Sequence, residues 1–174
     1  CPSGAITYDA PPVDHTMQRV QTLAKAFLAA GGTAPRLLVH DAHGAEMIRL
    51  SARHGRGLPA DVIPMEMSAI GAFGHAEAVA GLAAGFASVT LLPGPTADIP
   101  VLETQIALTT AIAGDGKATL LDTPDPDARS DALYAAEAPA PIASPVRPMG
   151  TRRQLTRQAA KALHPGTAQL PLPD

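Results

Sequence analysis

The sequence predicts an α/β fold with a small, mostly parallel sheet of about four strands flanked by helices. Three observations support this class. Helical and strand-like segments alternate along residues 11–121, the connections between them are short, and the strand-like segments are almost continuously apolar. Parallel strands covered by helices on both faces have this composition, because both surfaces of each strand are buried. We therefore expect one α/β domain over residues 11–121.

The predicted elements follow one another in order. Strands are expected in four segments: PRLLVHD (35–41), ADVIPMEM (60–67), ASVTLLPG (87–94) and KATLLD (117–122). Helices are expected at 14–32, 42–57, 72–86 and 98–116, where apolar or small residues recur at helical spacing. Asp14, Asp41 and Asp98 are suitable N-caps for three of these helices. The second strand is the least regular, since Pro64 would remove one ladder hydrogen bond.

The composition changes after residue 121. Residues 122–150 are rich in proline and lack apolar periodicity, which predicts a linker or strap with polyproline II character. Residues 151–164 form a predicted amphipathic helix that opens with a capping box of Thr151 and Gln154. Its apolar stripe consists of Leu155, Ala159, Ala162 and Leu163. Its cations are Arg152, Arg153, Arg157 and Lys161. We expect this helix to be docked with its cations in solvent. Residues 165–174 are expected to be an extended tail that leads toward a downstream module.

Composition excludes several classes of function. Aromatic residues make up 3% of the chain, Trp is absent and the net charge is −3, so base-stacking platforms and a basic stripe for nucleic acid are missing. No apolar run is long enough to span a membrane. A single cysteine excludes a disulfide framework. We expect a cytoplasmic globular protein, or a part of one, that does not bind nucleic acid.

Polar side chains follow the predicted strands at the sheet edge where open α/β folds bind ligands. His40, Asp41 and His43 follow the first strand, and Glu66 and Ser68 follow the second. Two imidazoles and two carboxylates are suitable ligands for zinc or iron, so His40, Asp41, His43 and Glu66 are an alternative metal site. The spacing is not diagnostic, and helix capping by Asp41 is the simpler role. His75, in the following helix, is a further candidate neighbour.

Other chemistries have little support at these loops. The DAHGAE turn lacks the glycine spacing of a P-loop or a dinucleotide fingerprint, and its acidic residues would oppose an anion. Ser68 lacks the glycine pattern of a nucleophile elbow. We therefore predict no catalytic residue in this chain.

The first residues resemble the end of a ferredoxin motif. In bacterial-type ferredoxins the last cysteine of the motif is followed by proline and ligates a cluster, and Cys1-Pro2-Ser3-Gly4-Ala5-Ile6 is similar to that segment. The resemblance implies that residues 1–10 are the remnant of an upstream ferredoxin module. It also implies that Cys1 is a ligand of a 4Fe–4S cluster in the parent chain only.

The middle of the chain resembles the delta-subunit family of methyl-viologen-reducing hydrogenases. The segments RLLVHDAHGAEMI and PADVIPMEMSAIGAFGHAEAVAGLAAGFASVTLLPG carry the similarity, which extends from Pro35 to about Ala113. The family implies a small α/β domain that passes electrons through a two-iron cluster. It places cysteines near the strand ends, whereas this chain has none at 40–44, 67–68 or 93–94. The resemblance thus implies a fold kept without its cluster.

Three functions follow from these observations. The first is a non-catalytic scaffold or docking domain of an iron–sulfur oxidoreductase or electron-transfer protein, whose partners are flanking ferredoxin modules of the same chain and a redox partner protein. In that case no cofactor is expected in the fragment itself. The second is a small-molecule or metal-binding domain that uses His40–His43 and Glu66–Ser68. The third is a partner-recognition module in which the strap and the basic helix bind an acidic electron-transfer protein.

Overall fold

The computed structural model describes residues 15–164. It contains ten helices and strands in that range: α1 (His15–Ala29), β1 (Arg36–His40), α2 (Ala42–His54), β2 (Val62–Glu66), α3 (His75–Ala83), β3 (Ser88–Leu92), α4 (Ile99–Ala113), β4 (Ala118–Leu120), α5 (Pro126–Ala135) and α6 (Arg152–Leu163). A single 3₁₀ turn, Ile70–Ala72, lies between β2 and α3. The predicted roles of Cys1 and Asp14, and the predicted tail at 165–174, lie outside the described residues.

The four strands form one all-parallel sheet in the order β2-β1-β3-β4. The predicted α/β class is therefore confirmed, and every predicted strand is present. Pro64 is compatible with β2 because β2 is an edge strand. The amide of Met67 donates to His40 O, so the amides of the odd-numbered residues face β1 and position 64 faces away from the ladder.

Two cores lie on opposite faces of the sheet. Alternate residues of a strand point to opposite faces. Leu37 and Val39 pack in the larger core with α1, α3 and α4, whereas Leu38 packs with Leu92 and Leu133 beneath α2 and α5. The glycine and alanine residues of α3 allow close packing, since every residue of α3 except His75 is buried. The sheet is thus covered on both faces, as its apolar strands predict.

The predicted linker contains a helix that its sequence pattern does not predict. α5 begins after Asp125, whose carboxylate accepts from the amide of Asp127, and Pro126 occupies its first turn. Only Arg129 and Leu133 of α5 are buried. Because the inner face of α5 consists of one arginine and one leucine, the sequence of this segment shows no apolar stripe. The prolines around it therefore favour the prediction of a linker.

Residues 136–150 are the part of the predicted linker that follows α5, and the name strap is kept for them from here on. They contact the domain at several positions. The amide of Val146 donates to Ala83 O (2.8 Å), and Gln21 Nε2 donates to Pro148 O (3.0 Å). Lys117 Nζ donates to Ala140 O, and burial lowers the pKa of Lys117 from its ordinary 10.5. The strap therefore passes from α5, on the α2 face, to α6, which lies over α3 on the other face.

α6 begins with the predicted capping box. Thr151 caps the amide of Gln154 through its hydroxyl, and the Gln154 side chain accepts from the Thr151 amide. Leu155 and Ala159 are buried against α3. None of the helices within residues 15–164 is long and apolar enough to cross a membrane.

Candidate functional site

The strand order places a topological switch point between β1 and β3. The chain leaves β1 toward α2 on one face and leaves β3 toward α4 on the other, and ligands of open α/β sheets bind in the crevice between such loops. The two loop regions here are residues 41–44, which comprise the N-cap and first turn of α2, and residues 93–98, which precede α4. The end of β2 lies beside them, because Met67 N donates to His40 O (2.7 Å).

The crevice is closed by the Asp41 carboxylate. Asp41 Oδ1 accepts from the amide of Gly44 (2.9 Å), which caps α2, and Oδ2 accepts from the amide of Gly94 (2.9 Å) in the other loop. Hydrogen bonds from amides to a carboxylate are charge-assisted and stronger than neutral ones. Asp41 therefore holds the two loops together and occupies the amides that would otherwise face a bound anion. The predicted capping role of Asp41 is confirmed.

Two glycines allow this close approach. A Cβ at Gly94 would overlap the Asp41 carboxylate, and a Cβ at Gly44 would lie 2.7 Å from His40 Cβ. Neither glycine has a positive φ, so the requirement at both positions is for space and not for backbone conformation.

The predicted ligand residues differ in burial. His40 is buried, and its Nδ1 donates to Asp41 O (2.9 Å), so its ring is fixed by the loop it precedes. His43, Glu66 and Ser68 are exposed. Glu66 is opposite His40 in the sheet register, and its carbonyl accepts from Arg19 Nη1 (2.9 Å).

His75 lies apart from this loop cluster. Its Nδ1 and its amide both donate to Gln105 Oε1 (2.8 and 2.9 Å), which joins the start of α3 to α4 on the opposite face of the sheet from α2. No group of three or more His, Cys, Asp or Glu side chains within residues 15–164 is placed to hold a metal ion. Cys1, the predicted cluster ligand of the parent chain, lies outside that range.

Three charged side chains, Glu77, Arg152 and Arg36, have structural roles that the sequence pattern does not indicate. Two of them form one contact. Glu77 is buried and accepts from the Gly74 amide, and Arg152 donates to both of its carboxylate oxygens (3.0 and 2.7 Å). The amphipathic pattern of α6 predicts Arg152 among the solvated cations of that helix. The side chain is half exposed, and it also joins α6 to the start of α3 through this ion pair.

Arg36 is the third of these side chains. Its guanidinium donates to both oxygens of Asp61 (2.6 and 3.0 Å) and to the carbonyls of Leu133 and Ala136 at the end of α5. The hydrogen bond and the charge of Arg36 hold the pKa of Asp61 below its ordinary 3.8, although burial acts in the opposite direction. Arg36 thereby fixes the end of α5 to the sheet. Its charge within an apolar strand segment is the one signal of this role in the sequence, because a buried cation requires partners.

The exposed half of α4 carries mostly apolar and small side chains. The residues on this face, which we call the α4 face, are Pro100, Val101, Glu103, Thr104, Ala107, Leu108 and Ala111. Val101 is 45% exposed and Leu108 is 42% exposed, and Glu103 is the only charged residue in the helix. Helices on the surface of a domain usually carry polar residues on their outer face, whereas helices that are apolar all round are usually buried.

The fold and the loop geometry define a four-stranded, parallel α/β domain whose switch-point crevice is closed by its own aspartate. Comparison of the chain with protein-family models, with curated proteins and with solved structures gives no match.

Proposed function

We propose that this chain is a non-catalytic docking domain of an iron–sulfur electron-transfer protein. In this proposal, ferredoxin-type modules outside residues 15–164 carry 4Fe–4S clusters in the cytoplasm, and Cys1 is a ligand of one of them in the complete natural chain. The α/β domain itself carries no cluster and supplies a surface on which such a module binds.

The observation that carries the docking role is the α4 face. Single exposed apolar residues are normal on protein surfaces, but a contiguous apolar face marks a site of protein contact. Val101 and Leu108 lie two turns apart on this face, with Thr104 between them and the small side chains of Ala107 and Ala111 beside Leu108. An apolar centre with few charges is typical of the buried part of a protein interface.

The closed crevice supports the non-catalytic part of the proposal. A cofactor at the switch point would compete with Asp41 for the amides of Gly44 and Gly94, which are already bonded at 2.9 Å. The same edge is the place that favours the second candidate, a small-molecule or metal site with His40, Asp41, His43 and Glu66 as ligands. The two functions predict different metal contents.

The test measures iron and acid-labile sulfide in two proteins purified without oxygen: the longer chain with ferredoxin modules that this proposal requires, and this 174-residue chain. We expect iron and sulfide in the first and neither in the second. Stoichiometric iron or zinc in the 174-residue chain, lost when His43 is replaced by alanine, would favour the second candidate. Absence of iron from that longer chain would contradict the docking proposal.

A further inference from the structure

Three cations of α6 form one row along the exposed side of that helix. Arg153, Arg157 and Lys161 are spaced four residues apart, so their side chains lie one above the other. We call them the cation row. All three are exposed, on the opposite side of α6 from Leu155 and Ala159, which are buried against α3. The packing of α6 on the domain therefore leaves the cation row in solvent.

The cation row has no counter-charge in the part of the chain that the structure describes. The ion pairs within residues 15–164 involve other arginines, namely Arg36, Arg49, Arg56 and Arg152. The sequence of α6 contains no acidic residue, whereas α2 pairs its own Arg49 with Glu46. The carboxylates that could neutralise the row must therefore come from outside α6.

Helix chemistry alone does not favour these charges. Like charges four residues apart destabilise a helix, and the row contains two such pairs, Arg153 with Arg157 and Arg157 with Lys161. Arg153 also lies in the first turn of α6, where the helix dipole favours an acidic side chain. Arg152, in the same turn, is compensated by Glu77. The row is thus unfavourable for the isolated helix and becomes favourable when a negative surface is bound to it.

Exposed apolar side chains lie on both sides of the cation row. Met149 is 68% exposed, and its backbone is held beside α6, because its amide and its carbonyl bond to the Gln158 side chain (3.2 and 2.8 Å). On the other side of α6, Ala160 packs with Ile112 of α4. Leu108 lies one turn before Ile112 on α4 and is exposed. The row therefore lies between Met149 and the α4 face.

The chemistry of this surface favours a protein as its partner. Methionine, arginine and exposed apolar side chains are typical of protein interfaces. A helix that binds a lipid surface inserts its apolar face, and the apolar face of α6 is buried against α3. Single-stranded nucleic acid stacks on aromatic side chains, which make up 3% of this chain. Three cations beside apolar contacts match a protein surface that carries a group of carboxylates.

We propose that the cation row binds carboxylates of the ferredoxin-type module that docks on the α4 face, with Met149 and Leu108 in contact with apolar side chains of that module. This inference rests on the docking proposal and adds the charge of the docked surface. Packed helices lie about 8–10 Å apart, so the row and the α4 face fit within one interface of about 800 Å² per partner. Complementary charge would steer the module and fix its orientation on the domain.

The first measurement is made on the unaltered 174-residue chain, with a separately purified two-cluster ferredoxin of net negative charge as the probe. Isothermal titration calorimetry measures their binding at about 50 mM and about 300 mM salt. We expect saturable binding that weakens by at least about threefold at the higher salt, because exposed charges are screened. Binding that does not change with salt, or no saturable binding at the lower salt, would overturn this inference.

The second measurement assigns the binding to the row through R157E. The control is R53E, which makes the same change of charge at an exposed arginine of α2, on the other face of the sheet. R157E should weaken ferredoxin binding about five- to tenfold, and R53E by less than about twofold. R157E also replaces two repulsive pairs of α6 by attractive ones, so it should not lower the midpoint of thermal unfolding. Equal weakening in the two variants would reject the row.

Two further titrations separate this inference from the docking proposal and from a lipid partner. If L108E weakens ferredoxin binding and R157E does not, docking on α4 stands and the role of the row is rejected. If R157E weakens binding and L108E does not, the row stands and the α4 face is rejected as a docking surface. Tighter binding to phosphatidylglycerol vesicles than to ferredoxin, lost in R157E, would reject a protein as the partner of the row.

Discussion

Asp41 shows how a single carboxylate can replace a ligand. Its two oxygens join the amides of two loops that belong to different faces of the sheet. In a ligand-binding protein of this architecture, such amides would be directed at the ligand. The side chain therefore acts both as a helix cap and as a link across the crevice. Its removal should lower the free energy of unfolding by more than the loss of an ordinary cap does.

Replacement of Asp41 by alanine should lower the free energy of unfolding by about 2–3 kcal/mol, because a cap and a second charge-assisted hydrogen bond are both lost. Asp98, the cap of α4, supplies the control: its carboxylate accepts only from Val101 N, at 3.3 Å. Its replacement by alanine should cost about 1 kcal/mol or less. Urea unfolding at neutral pH measures both values. Equal losses in the two variants would show that the link to Gly94 does not contribute.

Gly94 provides an independent test of the same contact. A methyl group there would overlap the Asp41 carboxylate, so G94A should be destabilised by about 1–3 kcal/mol through displacement of the loop. Gly71 is the matched control, since a Cβ at that position meets no atom within 4 Å and its φ is not positive. In thermal or urea unfolding, G94A should therefore be less stable than G71A. A G94A variant as stable as G71A would mean that the loops move apart freely.

At the scale of elements, α5 is fixed to the sheet by charge more than by apolar contact. Only Leu133 and Arg129 of this helix are buried, while Arg36 reaches from β1 to the last carbonyls of α5 and to Asp61. On the outer side, Arg56 lies over the ring of Tyr134 (4.2 Å) and forms a salt bridge with Asp131. Exposed pairs of this kind contribute little, so the buried Arg36 contacts should dominate.

The contribution of Asp61 should depend on pH. Its pKa in the folded state lies below its ordinary 3.8, so the stabilisation is fully present above that value and is lost as the pH falls through the folded pKa. The variant D61N should be less stable than the unaltered chain at pH 7, and the difference should shrink steadily below about pH 4. Urea unfolding of both proteins between about pH 7 and pH 3 measures this. A difference that does not change with pH would contradict the role of the charge.

At the scale of the whole molecule, the α4 face is an exposed helix surface with two large apolar side chains, Val101 and Leu108. Replacement of Leu108 by glutamate should change the stability of the 174-residue chain by no more than about 0.5 kcal/mol, because the side chain is already 42% exposed. In the longer chain that the docking proposal requires, the same change should speed amide hydrogen exchange in α4, since it would weaken a covered interface.

The control for this prediction is L50E, which introduces the same charge at an equally exposed leucine of α2. It should leave the exchange of α4 unchanged in both chains. If α4 exchanges at the same rate in that longer chain and in the 174-residue chain, the face is not covered and the docking proposal loses its main support.

Much of this architecture was predictable, and the differences have identifiable causes. Apolar periodicity predicts the four strands and the helices between them. Asp41 and Asp98 predict the starts of two of these helices, because each carboxylate caps an amide only three residues further along the chain. α5 was not predictable, because the contacts of Arg36 with it span about a hundred residues of sequence. The second acceptor role of Asp41 was equally hidden, since Gly94 N is brought to it only by the pairing of β1 with β3.

The strap has a consequence for how the molecule unfolds. It connects α5 on one face with α6 on the other, and it is bonded between them to Lys117, Ala83 and Gln21. The strap thereby links the helices on one face of the sheet to those on the other face. Unfolding of either layer should therefore destabilise the other. We expect a single cooperative unfolding transition in the intact chain, with far-ultraviolet circular dichroism and methyl resonances changing together. A protease cut within 137–144 should divide that transition into two.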